Sequence, residues 1–456
     1  MATSKPLAPS RGPSSLFFMS GQKIIHDSVH GSVKVDGAFL EILHRPEMQR
    51  LHGVKQLGLA HLVFPGANHT RFEHSLGTYH VADLMCEALS LSKEDRDQAL
   101  ASALLHDLGH APFSHTLEEV LENRFSLDHM EIGAALIDGR RSVFREDEAE
   151  LIGCEETISE LLERHGISSE AVSDIIVSPG HKARRGQRML TEPSGQSHFN
   201  SHDYLNQMLH GPVDADQMDY LLRDAHYTGV AHGTIDIDRI IHTIALHHGD
   251  IVVRKNGMVA AEGLMVARAL MYTSVYFHKT VRIAEMMLCK AVEAADDSIA
   301  DGLQRENDAS LVERLVAQGG RPKRIVTLLR YRQLYKRAYS VYVPDMSEED
   351  AERLLPITEY RRRKSAEAMI ADRAGVDPSE VILDVPSRQL ITGEVRQGKT
   401  EVPILNGERV RPLTRLSPIS KALQSRGVHD WAVMVSCPER NVEKVERAAM
   451  RTLGDL

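Results

Sequence analysis

The sequence predicts a mainly α protein, a large helical core followed by a smaller α/β C-terminal lobe. Three observations carry this. Apolar residues recur at three- and four-residue steps through most of the chain before about Arg321. At 456 residues the chain exceeds what one hydrophobic core ordinarily holds, so a main body with an appendage is the natural arrangement. After Arg321, short β-type runs alternate with helical stretches.

Residues 1–20 hold too short an apolar run for a signal peptide, and their Pro, Ser and Gly content predicts a flexible tail. The core is expected over 21–320. It opens with "KIIHDSVHGSVKV", whose alternation predicts a short strand or hairpin, before "AFLEILHRPEMQRLHGVKQL" shifts to helical spacing. "HSLGTYHVADLMCEALS", "KEDRDQALASALLHDLG" and "MVARALMYTSVYFHKTVRIAEMMLCKAVEAADDSIADGL" predict further helices. Between them, "SPGHKARRGQRMLTEPSGQSHFNSHD" from Ser178 has the composition of a surface loop. The lobe, 321–456, carries the β-type runs "EVILDVP", "EVPILNG" and "DWAVMVSCP". Its "RRRK" at 361–364 is expected on an exposed helix face.

A net charge of −10 and a pI near 6.2 argue against a general nucleic-acid coat, which needs a broad basic face; any phosphate site must be a local basic pocket. Cys86, Cys154, Cys289 and Cys437 are far apart, without zinc-knuckle or disulfide spacing, as expected in a reducing cytoplasm. No stretch approaches the roughly 18 consecutive apolar residues of a membrane span. A cytoplasmic protein is expected.

Chemistry concentrates in "LLHDLGHAPFSHTLEE", Leu104 to Glu119, which holds His106, Asp107, His110, His115 and Glu118. Neighbours in a regular helix point about 100° apart, so His106 and Asp107 converge only if the helix ends there. Gly109 and Pro112 supply that ending. Imidazole with carboxylate suits divalent iron, manganese or zinc. Further ligands must come from elsewhere: His74 in "RFEHSLG" upstream, and Asp214, Asp216, Asp219 or Asp224 in "PVDADQMDYLLRD" downstream. Taken alone, the His-Asp pair could equally be a hydrogen-bonded helix end.

"NHTRFEHSLG", "LLHDLGHAPFSH" and "VDADQMDYLLRD", in that order, resemble the HD-domain phosphohydrolases, and most closely the deoxynucleoside triphosphate triphosphohydrolases related to the SAM- and HD-domain dNTPase. "QRLHGVKQLGLAHLVFPGA" and "RALMYTSVYFHK" extend the likeness over about Lys23 to Ala295, and no SAM domain is expected. The resemblance implies an HD-domain helical core and a metal held by His74, His106, Asp107 and Asp216, with His110, Glu118 and His129 assisting catalysis. It implies Arg71, His115, Tyr220 and Arg268 at the phosphates, and Gln56, Leu57, Asp224 and Tyr276 around a 2′-deoxy sugar. Arg suits bidentate phosphate contacts. The implied reaction is attack of activated water at the α-phosphorus, releasing a deoxynucleoside and intact triphosphate, with magnesium accompanying the substrate phosphates.

Three departures from the family pattern qualify this. Glu118 stands where close relatives have Asp, and Gln217 where they have a phosphate-binding Lys. His44 and His52 replace the acidic residue and Arg that read guanine, so a strict GTP requirement is not expected. Lys23, Gln49, Arg239, Arg254 and Lys279 match positions that hold regulatory nucleotides, which leaves room for a nucleotide effector. By the same likeness a homo-oligomer, dimer or tetramer, is expected. The competing functions are a phosphohydrolase for another phosphorylated nucleotide and a catalytically quiet nucleotide-sensing scaffold.

Overall fold

The computed structural model describes residues 21–153, 156–177, 203–342, 346–385, 401–425 and 431–454. The tail expected over 1–20 and nearly all of the loop expected from Ser178 lie outside them. The fold is mainly α with a small α/β C-terminal part, as the periodicity predicts.

The chain opens as an antiparallel hairpin, β1 (Lys23–Asp27) and β2 (Gly31–Val35), in which Asp27 faces Gly31 across the turn. Alternation buries Val33 and Val35 and leaves Lys23 exposed. Helix α1 (Gly37–His44) buries Phe39, Leu40, Ile42 and Leu43. Helix α2 (Arg71–Leu89) begins at a capping box, Thr70 with Glu73, and ends at Ser90 in the left-handed region. Helix α3 (Lys93–Leu105), capped by Ser92, buries every residue from Ala99 to Leu105, so its C-terminal half runs through the core. Helices α4 (Ser114–Phe125) and α5 (His129–Ile137) follow, the second capped by Asp128. Helix α6 (Ala215–Thr228) is capped by Asp214 and stopped by Gly229 at φ +73°.

Strands β3 (Ile244–His247) and β4 (Asp250–Arg254) lead into α7 (Met258–Met271), a π turn over Tyr272–Tyr276, and α8 (Lys279–Glu293). Leu76, Leu104, Leu105, Met218, Leu221 and Leu264 belong to one continuous core. A second cluster joins α4 and α8 to α9 (Gly320–Arg330) through Leu117, Val120, Met287, Leu288 and Ile325.

The C-terminal part holds β5 (Lys336–Tyr342), α10 (Tyr360–Ala374), β6 (Ile382–Asp384), β7 (Pro403–Asn406), β8 (Arg409–Pro412), β9 (Trp431–Cys437) and α11 (Val442–Gly454). Fully buried β9 lies between β5 and β6 in an antiparallel sheet, over which α10 and α11 pack. The chain then crosses back: β7 pairs in parallel with β4, giving the order β3-β4-β7-β8, and Val402, Ile404 and Leu413 enter the main core.

Two local expectations change. Lys255–Tyr276 is long and apolar enough to cross a membrane by length and composition, contrary to the sequence expectation. Its helix α7 nevertheless buries Ala260, Ala261, Leu264, Met265, Ala267 and Met271 inside the protein. In "RRRK", Arg361 and Arg362 are exposed, but Arg363 is buried against Glu119 at 2.5 Å and Lys364 bridges Glu293 and Glu367. Long basic side chains tolerate such burial when a carboxylate answers each charge.

Candidate metal centre and active site

Three elements meet at one point. The capping box sets the start of α2, which places Arg71 and His74 on its first turns. Helix α3 stops at Leu105, earlier than Gly109 and Pro112 would require, and His106 to Gly109 form a turn. That turn lets the consecutive His106 and Asp107 face the same side. Arg50 braces it from outside, donating to the carbonyls of Leu108 (2.9 Å), His110 (2.8 Å) and Glu306 (3.0 Å). The first turn of α6 brings in Asp216.

His74 Nε2 lies 3.0 Å from Asp216 Oδ1 and 3.9 Å from Asp107 Oδ2. His106 Nε2 lies 3.4 Å from Asp107 Oδ1 and 3.8 Å from Asp216 Oδ1. Ligating atoms of His74, His106 and Asp107 all fall within 4.8 Å of one another. His106 Nδ1 donates to the Ala103 carbonyl at 2.9 Å, so its Nε2 presents a lone pair, and that buried atom has no hydrogen-bond partner among the described residues. A buried acceptor without a donor costs free energy unless a cation completes it. The nitrogen and oxygen donors suit iron, manganese or zinc.

The electrostatics ask for positive charge at the same point. Burial opposes protonation of His74, but hydrogen bonds to Asp216 and Asp219 and the charges of Asp219 and Asp107 push it up to about 10. Burial alone would raise the Asp107 carboxyl, yet the Arg71 guanidinium at 2.5 Å, then His106 and His110, hold it well below the usual carboxylate range.

A second group adjoins the first. His110 Nε2 is 3.1 Å from Asp107 Oδ1, and its ring stacks on His129 with centroids 4.4 Å apart. Gly109 permits this approach, because a Cβ there would lie 2.0 Å from the His129 carbonyl. Glu118 Oε1 accepts from His129 Nδ1 at 2.8 Å, and its Oε2 is 3.6 Å from His115 Nδ1. Desolvation works against this charge pair, but the two histidines hold Glu118 far below the usual range and Glu118 raises His129. Burial, with repulsion from Arg71 and His129, keeps His110 well below the usual imidazole range despite Asp107. The surroundings thus favour the neutral form of one imidazole and, through Glu118, the charged form of its stacked neighbour.

Arg71 is buried, and its Nε and Nη2 have no partner among the described residues; the same holds for Gln217 Nε2. Asp224 is clamped by Tyr276, which donates at 2.6 Å, and by His69 Nε2 at 2.8 Å. Gln56 is tied to the His69 carbonyl through its backbone and buries an unpartnered Oε1, while Leu57 packs on the adjoining core. Tyr220 meets Tyr276 edge-on at 6.1 Å, and Arg268 lies over Tyr272 at 5.6 Å.

The candidate effector residues are more scattered. Arg239 reaches the Asn256 carbonyl beside Arg254, whereas among the described residues no hydrogen bond or ion pair links these two to Lys23, Gln49 or Lys279. Gln49 instead donates to the Leu43 carbonyl at 2.7 Å. His52 stacks on Phe72 at 3.8 Å, and its partial desolvation lowers its pKa, which favours the neutral ring. His44 closes on the Leu40 carbonyl of its own helix.

Sequence reasoning missed Arg50, His69 and Arg223, together with the hairpin residues Asp27 and His30. The signal it could have used is slight: Asp219 and Arg223 sit at i, i+4 on α6 and pair with Nε to Oδ2 at 2.9 Å.

Comparison with known proteins gives this geometry a setting. The HD domain model matches residues 71–224, and the HD associated region model matches 235–454. The uncharacterised protein MJ1154 of Methanocaldococcus jannaschii is 31% identical over 432 residues, 93% of this chain and 81% of that protein. Human deoxynucleoside triphosphate triphosphohydrolase SAMHD1 is 27% identical over 361 residues, 74% of this chain; this chain spans 54% of its length. A solved structure of a hypothetical protein from Aquifex aeolicus is similar at a TM-score of 0.64 and 26% identity, covering 94% of this chain and 100% of that one.

Proposed function

We propose, from the premise that this chain belongs to the HD-domain phosphohydrolase family bearing an HD-associated region, that it hydrolyses deoxynucleoside triphosphates to a deoxynucleoside and inorganic triphosphate. The observation that carries this is the adjacency of two unsatisfied features: the buried His106 Nε2 lone pair and the buried Arg71 donors Nε and Nη2. One asks for a cation and the other for an anion. A substrate phosphate beside a bound metal meets both demands.

His74, His106, Asp107 and Asp216 would hold the metal. Such an ion supplies Lewis acidity, neutralising phosphate charge and making water easier to deprotonate. The protein's own groups do the rest. Arg71 donates to phosphate oxygens, with Arg268, His115 and Tyr220 offering further contacts along the chain of phosphates. Asp224, oriented by His69 and Tyr276, accepts from a sugar hydroxyl; Gln56 Oε1 offers a second acceptor, and Leu57 packs beside them. Water oxygen bonds to the α-phosphorus, its proton passing to solvent, while the bond to the 5′ oxygen breaks. His129, whose charged form Glu118 favours, gives that oxygen its proton. Neutral His110 orients both Asp107 and His129.

The similarity to the human deoxynucleoside triphosphate triphosphohydrolase supports the substrate class. Gln217 favours a second function, hydrolysis of another phosphorylated nucleotide, because a buried neutral amide contributes less to a triphosphate than an ammonium would. The deciding experiment supplies the pure protein with manganese, iron or magnesium and a panel of dNTPs, NTPs and monophosphates. Inorganic triphosphate with free deoxynucleoside supports the first function. Orthophosphate as the sole phosphate product eliminates it in favour of the second.

A further inference from the structure

The hairpin β1–β2 lies outside the segment matched by the HD domain model, yet its turn reaches the far side of the candidate metal cluster. Asp27, at the end of β1, takes two hydrogen bonds from Arg223: Nη1 to Oδ2 at 2.8 Å and Nη2 to Oδ1 at 3.1 Å. Its Oδ1 also accepts from the backbone amides of Val29 (2.9 Å) and His30 (2.8 Å), so the turn fixes the carboxylate. Arg223 makes a second fork onto Asp219, with both bonds at 2.9 Å. His30 Nε2 closes on Asp219 Oδ1 at 2.6 Å. Asp219 Oδ2 accepts from His74 Nδ1 at 2.7 Å.

No side chain of this chain of contacts is more than 7% exposed. A Cβ on Gly77 would stand 1.9 Å from Asp219 Oδ1 and 2.4 Å from Arg223 Nη2, so α2 and α6 touch through these groups.

We infer that the N-terminal hairpin is a positioning element of the metal centre: Asp27 and His30 fix Asp219, and Asp219 in turn fixes the ring of His74 with Nε2 toward Asp107, Asp216 and His106. A histidine that ligates through one nitrogen almost always donates the hydrogen on the other to a partner, which fixes its tautomer and ring orientation. Asp219 is that partner for His74. Arg223 neutralises Asp219 and, without Asp27, would be free to draw it off the imidazole; His30 holds the carboxylate from the other side. Outer partners of this kind typically change metal affinity about 10–100-fold. The inference rests on the metal half of the proposed function and is independent of the substrate.

The test uses full-length, metal-stripped protein titrated with manganese alone, following free Mn²⁺ by its electron spin resonance signal. Parent protein is expected to bind one Mn²⁺. Asp27→Asn and Asp219→Asn are expected to bind it about 10–100-fold more weakly. His30→Leu, which removes the nitrogen, is expected to weaken binding several-fold, and His30→Gln, which keeps a donor, to restore most of it. The difference in melting temperature between Mn-saturated and metal-free protein should shrink in the same order. Variants that bind Mn²⁺ as tightly as the parent overturn the inference while leaving the metal site standing. So do variants that lower both melting temperatures equally, since that is a purely structural role. Parent protein that binds no Mn²⁺ overturns both.

Discussion

Arg71 Nη1 stands 2.5 Å from Asp107 Oδ2, a buried ion pair that ties the first turn of α2 to the turn following α3. Removing Arg71 leaves the buried Asp107 charge with only histidines against it, and breaking a buried pair costs about 3–5 kcal/mol. Arg71→Ala should therefore lower stability by that order in urea unfolding of the metal-free protein, and reduce kcat/KM by about 100-fold or more through loss of the phosphate donors. The pH dependence has a definite sign. Asp107 has a depressed pKa in the fold, so its contribution is fully present above the unfolded carboxylate value and is lost as pH falls toward the folded one. The stability difference between parent and Arg71→Ala should therefore be full near neutral pH and shrink as pH falls below the unfolded carboxylate value.

His106→Ala probes the lone pair directly. The fold loses one hydrogen bond, to the Ala103 carbonyl, worth about 0.5–1.5 kcal/mol. The metal-free melting temperature should thus drop by only a few degrees, about 2–4 °C per kcal/mol for a large domain. Bound metal measured by elemental analysis after gel filtration should fall well below one per chain. Parental metal content in this variant would remove His106 from the ligand set.

Glu118→Gln tests the proton donor. Glu118 raises the pKa of His129 in the fold, and a neutral amide no longer does so. Activity that needs the protonated imidazole is lost as pH rises through this value. The alkaline limb of the kcat profile should therefore move to lower pH, with the acid limb unmoved by His129. An unshifted alkaline limb would assign the proton to a group that Glu118 does not touch.

Tyr276→Phe removes the hydroxyl that donates to Asp224 at 2.6 Å. His69 still holds the other carboxylate oxygen. The pocket should loosen without collapsing, and the ratio of kcat/KM for a dNTP over the matching NTP should fall about tenfold, the effect of one hydrogen bond of about 1.4 kcal/mol. Equal loss for both substrates would place Tyr276 outside sugar discrimination.

Much of this architecture was written locally. The three- and four-residue apolar steps of α2, α3 and α8 predict helices because those residues line one core, and Thr70, Asp128 and Asp214 mark helix starts in the residues themselves. His74, His106, Asp107 and Asp216 could be grouped because each sits in a compact, recognisable block. The supporting residues could not. Asp27 and Arg223 are 196 positions apart, Arg50 and Glu306 are 256 apart, and nothing periodic connects them. Arg363 was misjudged for the same reason: its partner Glu119 belongs to a helix far upstream. Local spacing reports a helix face, but only the assembled tertiary structure reports which carboxylate waits opposite it.

The parallel seam between β4 and β7 makes the C-terminal third a fastener for the front of the molecule. A shortened version ending after α9 would leave the β4 edge without the amides and carbonyls that β7 supplies, and would uncover the apolar seat of Val402, Ile404 and Leu413. Such a fragment invites clumping through that bare border, so its silence in an assay would report lost colloidal integrity and say nothing of the chemistry upstream.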